Sequence, residues 1–131
     1  MIGKKTKIEK HKDDRGLLMT INHIPFETKR MFIISDVPSN STRGNHFSRT
    51  SGFLYTVIKG ACTVELDDGN NTEIHRLEAG DRLQFPKRTW MRLSAFEKDT
   101  VLCVLADKEY DSYDYVSDYE EFKRIVREEY V

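Results

Sequence analysis

The sequence predicts a small all-β barrel of the jelly-roll type with one short C-terminal helix. Three observations carry that prediction. The apolar residues fall in short strand-length runs, turn residues divide those runs, and only one stretch, near the C-terminus, has helical spacing. With 131 residues, the chain is expected to form one domain over 1–131, large enough for a proper core.

The elements follow in order. Lys5–Lys10 is polar and reads as an edge strand. The turn Asp13-Asp14-Arg15-Gly16 leads into a strand over Arg15–Asn22. Lys29–Asp36 is next, and its run Met31-Phe32-Ile33-Ile34 reads as buried on both faces. Pro38-Ser39-Asn40-Ser41 is a loop. Phe53–Lys59 and Ala61–Leu66 flank Gly60 and read as a hairpin. Asp67-Asp68-Gly69-Asn70-Asn71 is the clearest turn, an Asp-Gly hairpin signal joining Cys62–Leu66 to Thr72–Leu77. Glu78-Ala79-Gly80-Asp81 is another turn, Arg82–Phe85 and Trp90–Ser94 are strands around Pro86, and Thr100–Ala106 is a buried central strand. Tyr119–Tyr130 is the helix, with Phe122, Ile125, Val126 and Tyr130 near helical spacing and Asp118 as N-cap.

Composition narrows the function classes. The 21 basic and 22 acidic residues nearly cancel, so no net field favours a nucleic-acid polymer or an acidic membrane surface. No apolar run is long enough to span a bilayer. Met1–Lys12 carries several lysines and no apolar core, unlike a signal peptide, so a cytoplasmic location is expected. Cys62 and Cys103 each sit inside a strand-like run and read as buried free thiols.

The segment richest in chemistry is Arg43-Gly44-Asn45-His46-Phe47-Ser48-Arg49. Cupin barrels place a His-x-His pair at such a segment, a Glu shortly after, and a second motif Gly-x5-Pro-x-Gly-x2-His. Gly80 and Pro86 match the second motif, but Arg88 stands where its second glycine falls and Met91 where its histidine falls. In the first motif His46 is present, Ser48 occupies the second histidine position and Phe53 the glutamate position. A transition metal needs three or four N, O or S donors in one place, so no metal and no other cofactor is expected. His11, His23 and His75 lie on other segments without ligand spacing.

A wider resemblance covers about residues 12–125. Its residues are Asp14-Arg15-Gly16-Leu17-Leu18, Pro25-Phe26, Lys29-Arg30-Met31-Phe32, Asp36-Val37-Pro38, Arg43-Gly44-Asn45-His46, Leu66-Asp67-Asp68-Gly69, Trp90-Met91, Phe96 and Val104-Leu105-Ala106. The most specific is the closing run 110–122, Tyr-Asp-Ser-Tyr-Asp-Tyr-Val-Ser-Asp-Tyr-Glu-Glu-Phe. On these residues the chain resembles the metal-free sugar-nucleotide 3,4-ketoisomerases of the cupin superfamily, the WxcM-like C-terminal domain group. The resemblance implies a homodimeric jelly roll whose N-terminal strands commonly cross to the partner. It implies a dTDP-4-keto-6-deoxyhexose as ligand, and a ketone moved from C4 to C3 through an enediol(ate), on a route to deoxyamino sugars or surface polysaccharide. His46 is then the base, with Ser48 or a water completing the relay.

The chain departs from that pattern in its acid–base set. Relatives usually carry Arg-Gly-x-His-x-His, often a tyrosine on the preceding strand, and often a histidine after the Trp. Here those positions hold Ser48, the run Phe32-Ile33-Ile34-Ser35, and Met91. A serine hydroxyl relays a proton but is a very poor base. Arg15, Lys29, Arg30, Arg43 and Arg49 are candidates for the pyrophosphate, because cationic donors match phosphate oxygens. Tyr55 and Trp90 are candidates for stacking, and Asn45 completes the candidate substrate-binding set. The tyrosines of 110–119 read as packing residues. Two other readings stay open: a non-catalytic sugar-nucleotide-binding accessory protein, and an epimerase on a related nucleotide sugar.

Overall fold

The computed structural model describes residues 1–129. These form twelve strands, one 3₁₀ turn and one α-helix: β1 Lys4–Lys7, β2 Glu9–Asp13, β3 Gly16–Thr20, β4 Arg30–Ser35, β5 Arg43–Ser48, β6 Phe53–Lys59, β7 Ala61–Asp67, β8 Thr72–Glu78, β9 Asp81–Phe85, β10 Trp90–Ser94, β11 Val101–Ala106, β12 Tyr115–Val116 and α1 Tyr119–Glu129. The strands make two five-stranded sheets, ordered β1-β9-β6-β11-β4 and β12-β5-β10-β7-β8, with β2–β3 as a separate hairpin. From β4 to β12 the chain repeatedly changes sheet, and the two inner faces close on one core. This is the predicted jelly roll. Period-two alternation does the sorting. On β11, Leu102, Val104 and Ala106 enter the barrel core, while Cys103 and Leu105 join an outer cluster with Leu54. Cys62 lies in the barrel core, so the two buried thiols sit on opposite faces of that sheet and stay free.

Several expectations are corrected. Lys5–Lys10 is two strands broken at Ile8, whose buried side chain and N–H bond to Gly80 O (2.9 Å) end β1. β1 pairs antiparallel with β9, Lys4 opposite Gln84 and Lys7 opposite Asp81. The β6–Gly60–β7 segment is not a hairpin, because β6 pairs with β9 and β11 whereas β7 pairs with β8 and β10. Gly60 is instead a corner between sheets. The run on β4 is buried on one face only: Ile34 is covered, but Met31 is 63% and Ile33 53% exposed. The Asp67–Asn71 hairpin forms as expected, with Asp68 Oδ1 accepting from Asn70 and Asn71 N–H at 2.9 and 2.7 Å.

Asp118 caps α1, its Oδ1 accepting from Glu120 and Glu121 N–H at 2.9 and 3.3 Å. The helix lays Phe122, Ile125 and Val126 against Phe47 and Trp90 on the outer side of the second sheet. Tyr130, expected as the last apolar position of the helix, lies outside the described residues. No helix among the described residues is long and apolar enough to cross a membrane.

Gly60 has φ +83°, and a Cβ there would lie 2.3 Å from Thr100 Oγ1 and 2.7 Å from Thr100 Cα. The same Thr100 hydroxyl accepts the Ala61 N–H at 3.2 Å and donates to Glu97 O at 2.6 Å, closing the corner. Gly60→Ala should therefore destabilise the fold by about 2 kcal/mol or more through combined strain and clash. A urea unfolding midpoint unchanged from wild type would contradict this account of the corner.

Candidate functional site

Strand β5 carries an extra residue opposite β10. Met91 pairs with His46, while Arg92 pairs with Gly44, leaving Asn45 as the bulge. Gly44 (φ +81°) and Asn45 (φ +57°) both take left-handed backbone. Gly44 is required there, since a Cβ would meet Met91 Sδ at 2.3 Å and Met91 O at 3.0 Å. In a regular strand, residues three apart face opposite sides. The bulge resets the alternation, so Arg43 and His46 line the same cavity.

That cavity, of about 600 Å³, opens between the two sheets. Its charged and polar groups come from β4 (Arg30), β5 (Arg43, His46), β6 (Tyr55) and the closing segment (Tyr110, Tyr115). Phe32, Phe53, Met91 and Leu93 supply apolar wall. The Arg30 guanidinium sits among rings, 5.2 Å from the Phe32 centroid, 5.5 Å from Tyr110 and 5.7 Å from Tyr115. Its Nη2 donates to the Tyr115 hydroxyl oxygen. The Tyr115 ring meets the His46 imidazole edge-on, centroids 4.9 Å apart.

Burial lowers the His46 pKa below 6.5, and the Arg30 and Arg43 charges lower it further, against an opposing pull from its own backbone. The imidazole is therefore neutral near pH 7 and able to accept a proton. Among the described residues, nothing hydrogen-bonds the buried His46 Nδ1 or Arg30 Nε. Tyr55 is fully buried and its pKa is raised above the ordinary phenol value by that burial, then by Tyr115. It remains a neutral hydroxyl. No group of three or more His, Cys, Asp or Glu side chains among the described residues could hold a metal ion.

Of the residues singled out in the sequence, His46, Arg30, Arg43 and Tyr55 come together in the cavity. The others lie elsewhere. The Ser48 side chain is buried off the cavity wall, donating to Asp114 and accepting the Ser51 N–H at 2.9 Å. Trp90 is on the outer face of β10, against Tyr119 and Phe122 of α1, because alternation turns Met91 inward. Arg15 is held by Asp13 in the exposed hairpin (2.6 Å), Lys29 by Glu27 (2.9 Å), and Arg49 lies 3.9 Å from Glu121. Asn45 donates to Thr42 Oγ1 at 3.2 Å. Sequence reading missed Tyr115 and Tyr110 as cavity residues. The signal was in the run Tyr110–Tyr119, but spacing does not reveal which tyrosine a two-residue strand turns inward.

The fold defines a cupin-type barrel, with a cavity in its mouth lined by one imidazole, two guanidiniums and three phenols. A family model described as FdtA: WxcM-like, C-terminal, matches residues 3–127, and the chain belongs to that family. The chain is 33% identical over 118 residues to a TDP-4-oxo-6-deoxy-α-D-glucose 3,4-oxoisomerase of Aneurinibacillus thermoaerophilus, covering 87% of this chain and 85% of that one. Among solved structures, it is similar to a 3,4-ketoisomerase from Helicobacter canadensis (TM-score 0.89, 30% identity, 95% of this chain and 97% of that one). It is also similar to the TDP-quinovose 3,4-ketoisomerase WlaRB from Campylobacter jejuni (TM-score 0.85, 31% identity, 93% and 97%). A 3′-monoepimerase from Streptomyces bikiniensis, at 13% identity and TM-score 0.77 over 86% of this chain and 67% of that one, shares the fold alone.

The His46 environment makes a prediction. In the unfolded chain the imidazole titrates near the ordinary 6.5, and in the folded chain lower. The unfolded state therefore binds the proton first as pH falls, and His46 withdraws stability below about pH 6.5. NMR titration should show a His46 midpoint below 6.5 that rises in Arg30→Met. A midpoint above 6.5 would refute this account of the imidazole's surroundings.

Proposed function

We propose that the chain is a sugar-nucleotide 3,4-ketoisomerase acting on a dTDP-4-keto-6-deoxyhexose, metal-independent and working through an enediol(ate). The observation that carries this reading is the neutral His46 in one cavity with Arg30 and Arg43. Moving a ketone from C4 to C3 needs a base for the C3 proton, positive charge for the enediolate oxygen, and return of a proton at C4. His46 fits the first and last needs, and the guanidiniums fit the second. Arg43, on the more open side, is suited to the sugar or its phosphates. The reading places the protein on a route to deoxyamino sugars or surface polysaccharide. The expected cytoplasmic location belongs to the same reading.

A second reading rests on Ser48. With its hydroxyl bound to Asp114, the cavity lacks the second imidazole that relatives usually carry, and an accessory protein that only binds the nucleotide sugar fits that loss. One experiment separates the two. The purified protein is incubated with dTDP-4-keto-6-deoxyglucose in deuterium oxide and the sugar followed by NMR. Catalysis predicts deuterium incorporation and the 3-keto isomer, both abolished in His46→Asn, with dTDP affinity held within a few-fold. Binding without incorporation in wild type selects the accessory reading, and no binding of dTDP at millimolar concentration sinks both.

We propose further that the chain works as a homodimer. Met31 and Ile33, on the outer face of β4, are more than half exposed and pair in register with Leu105 and Cys103 of the outer cluster, and Leu17 and Leu18 on the β2–β3 hairpin are likewise more than half exposed. Sedimentation should give a dimer at micromolar concentration, and Ile33→Asp should shift it toward monomer. A monomeric wild type would overturn the proposal.

A further inference from the structure

We propose that Tyr115 is the second catalytic group of the site, the residue that exchanges protons between the C3 and C4 oxygens of the sugar. This inference rests on the ketoisomerase reading and extends it. Base chemistry at carbon is only half of the isomerisation. When His46 removes the C3 proton, the electron pair forms the C3–C4 double bond and the C4 carbonyl becomes an enolate oxygen. The hydroxyl at C3 must then lose its proton, and the oxygen at C4 must gain one, before C4 is protonated. His46 carries the carbon-bound proton through these steps, so another group has to serve the oxygens.

Three observations point to Tyr115. It lines the same cavity as His46, and its ring packs T-shaped with the imidazole, centroids 4.9 Å apart. The two groups therefore address adjoining positions of one ligand. Arg30 Nη2 donates to the phenolic oxygen. That bond uses a lone pair, so the phenol keeps its own hydrogen to give to a ligand, and the cation beside it stabilises the phenolate left behind. Finally, the oxygen is fixed in place. Tyr115 pairs with Ser48 on β5, one residue after Asp114, which is anchored by Ser48 and by Thr50 Oγ1 at 2.8 Å. Tyr55, the other cavity phenol on a strand, has no such cation bonded to its oxygen among the described residues, and its burial disfavours the phenolate that proton exchange would pass through.

The step balances. Tyr115 gives its proton to the enolate oxygen at C4 and takes one from the C3 hydroxyl. The C3 oxygen becomes the new carbonyl as the double-bond electrons collect the proton from His46 at C4. Tyr115 and His46 end as they began, and there is no net oxidation or reduction.

The test separates the two halves of the reaction. Tyr115→Phe retains the ring, loses only the oxygen, and leaves His46 and the guanidiniums in place. In deuterium oxide it should still exchange the C3 proton of dTDP-4-keto-6-deoxyglucose within a few-fold of wild type. Formation of the 3-keto isomer should fall by about 10²-fold or more. Arg30→Lys should shift the same ratio in the same direction, by a smaller factor, which covers a Phe variant that melts. Isomerisation within a few-fold of wild type in Tyr115→Phe would overturn the inference, as would an equal loss of exchange and isomerisation. A wild-type protein that neither exchanges nor isomerises removes the ketoisomerase reading itself, a result distinct from a wild type that turns over and a Tyr115→Phe that does so equally well.

Discussion

The structure depends on one local irregularity, the bulge at Gly44–Asn45. Strand alternation is rigid: it assigns each side chain to core or outside, and a shift of one residue inverts the assignment. Two consecutive left-handed residues in β5 break that rule once, and Met91 sulfur fills the room a Cβ would have taken. The strand then serves two layers at once. His46 and Arg43 face the cavity, while Phe47, wholly buried, turns outward beneath α1. Gly44 and Asn45 decide which side chains of β5 face the cavity.

The electrostatics follow from that placement. Two guanidiniums near one imidazole are mutually unfavourable, and the fold accommodates them in different ways. Arg30 is surrounded by aromatic faces and bonded to a phenol, which disperses its charge in a partly dry setting. Arg43 stays exposed toward the open side. Burial first, and their positive charge in addition, keeps His46 unprotonated, and that charge leaves the cavity suited to an anion or to developing negative charge. The same arrangement that lowers the basicity of the imidazole therefore stabilises what the imidazole would generate.

The sequence showed most strands and the helix clearly, because alternation and turn chemistry are local. The Asp67–Asn71 hairpin, the strand Trp90–Ser94 and the Asp118 cap are examples. What it hid was pairing. Nothing in Phe53–Leu66 distinguishes a hairpin at Gly60 from a corner between sheets, since both need a left-handed glycine. Met31 and Ile33 read as buried because they are apolar, although the outer face of β4 is uncovered in this chain. At the site, the Arg-Gly-x-His segment pointed to His46 and Arg43, and long-range packing decided the rest. Trp90 went to the helix side and Ser48 to Asp114, while Tyr115 arrived from a segment distant in sequence.

The late position of Tyr115 and α1 has a consequence for how the protein is made. Chains emerge from the ribosome N-terminus first, and strands β4 to β11, with His46 and both arginines, are available before the residues that finish the cavity. Until residues 115–126 follow, β5 lacks its outer neighbour β12, and Phe47 and Trp90 lack the cover of Phe122 and Val126. During that interval the nascent barrel carries a hydrophobic flank and a cavity that has its imidazole but lacks Tyr110 and Tyr115. Completion of the cavity wall and burial of that flank are thus one event, so a chain that stops short leaves both undone together.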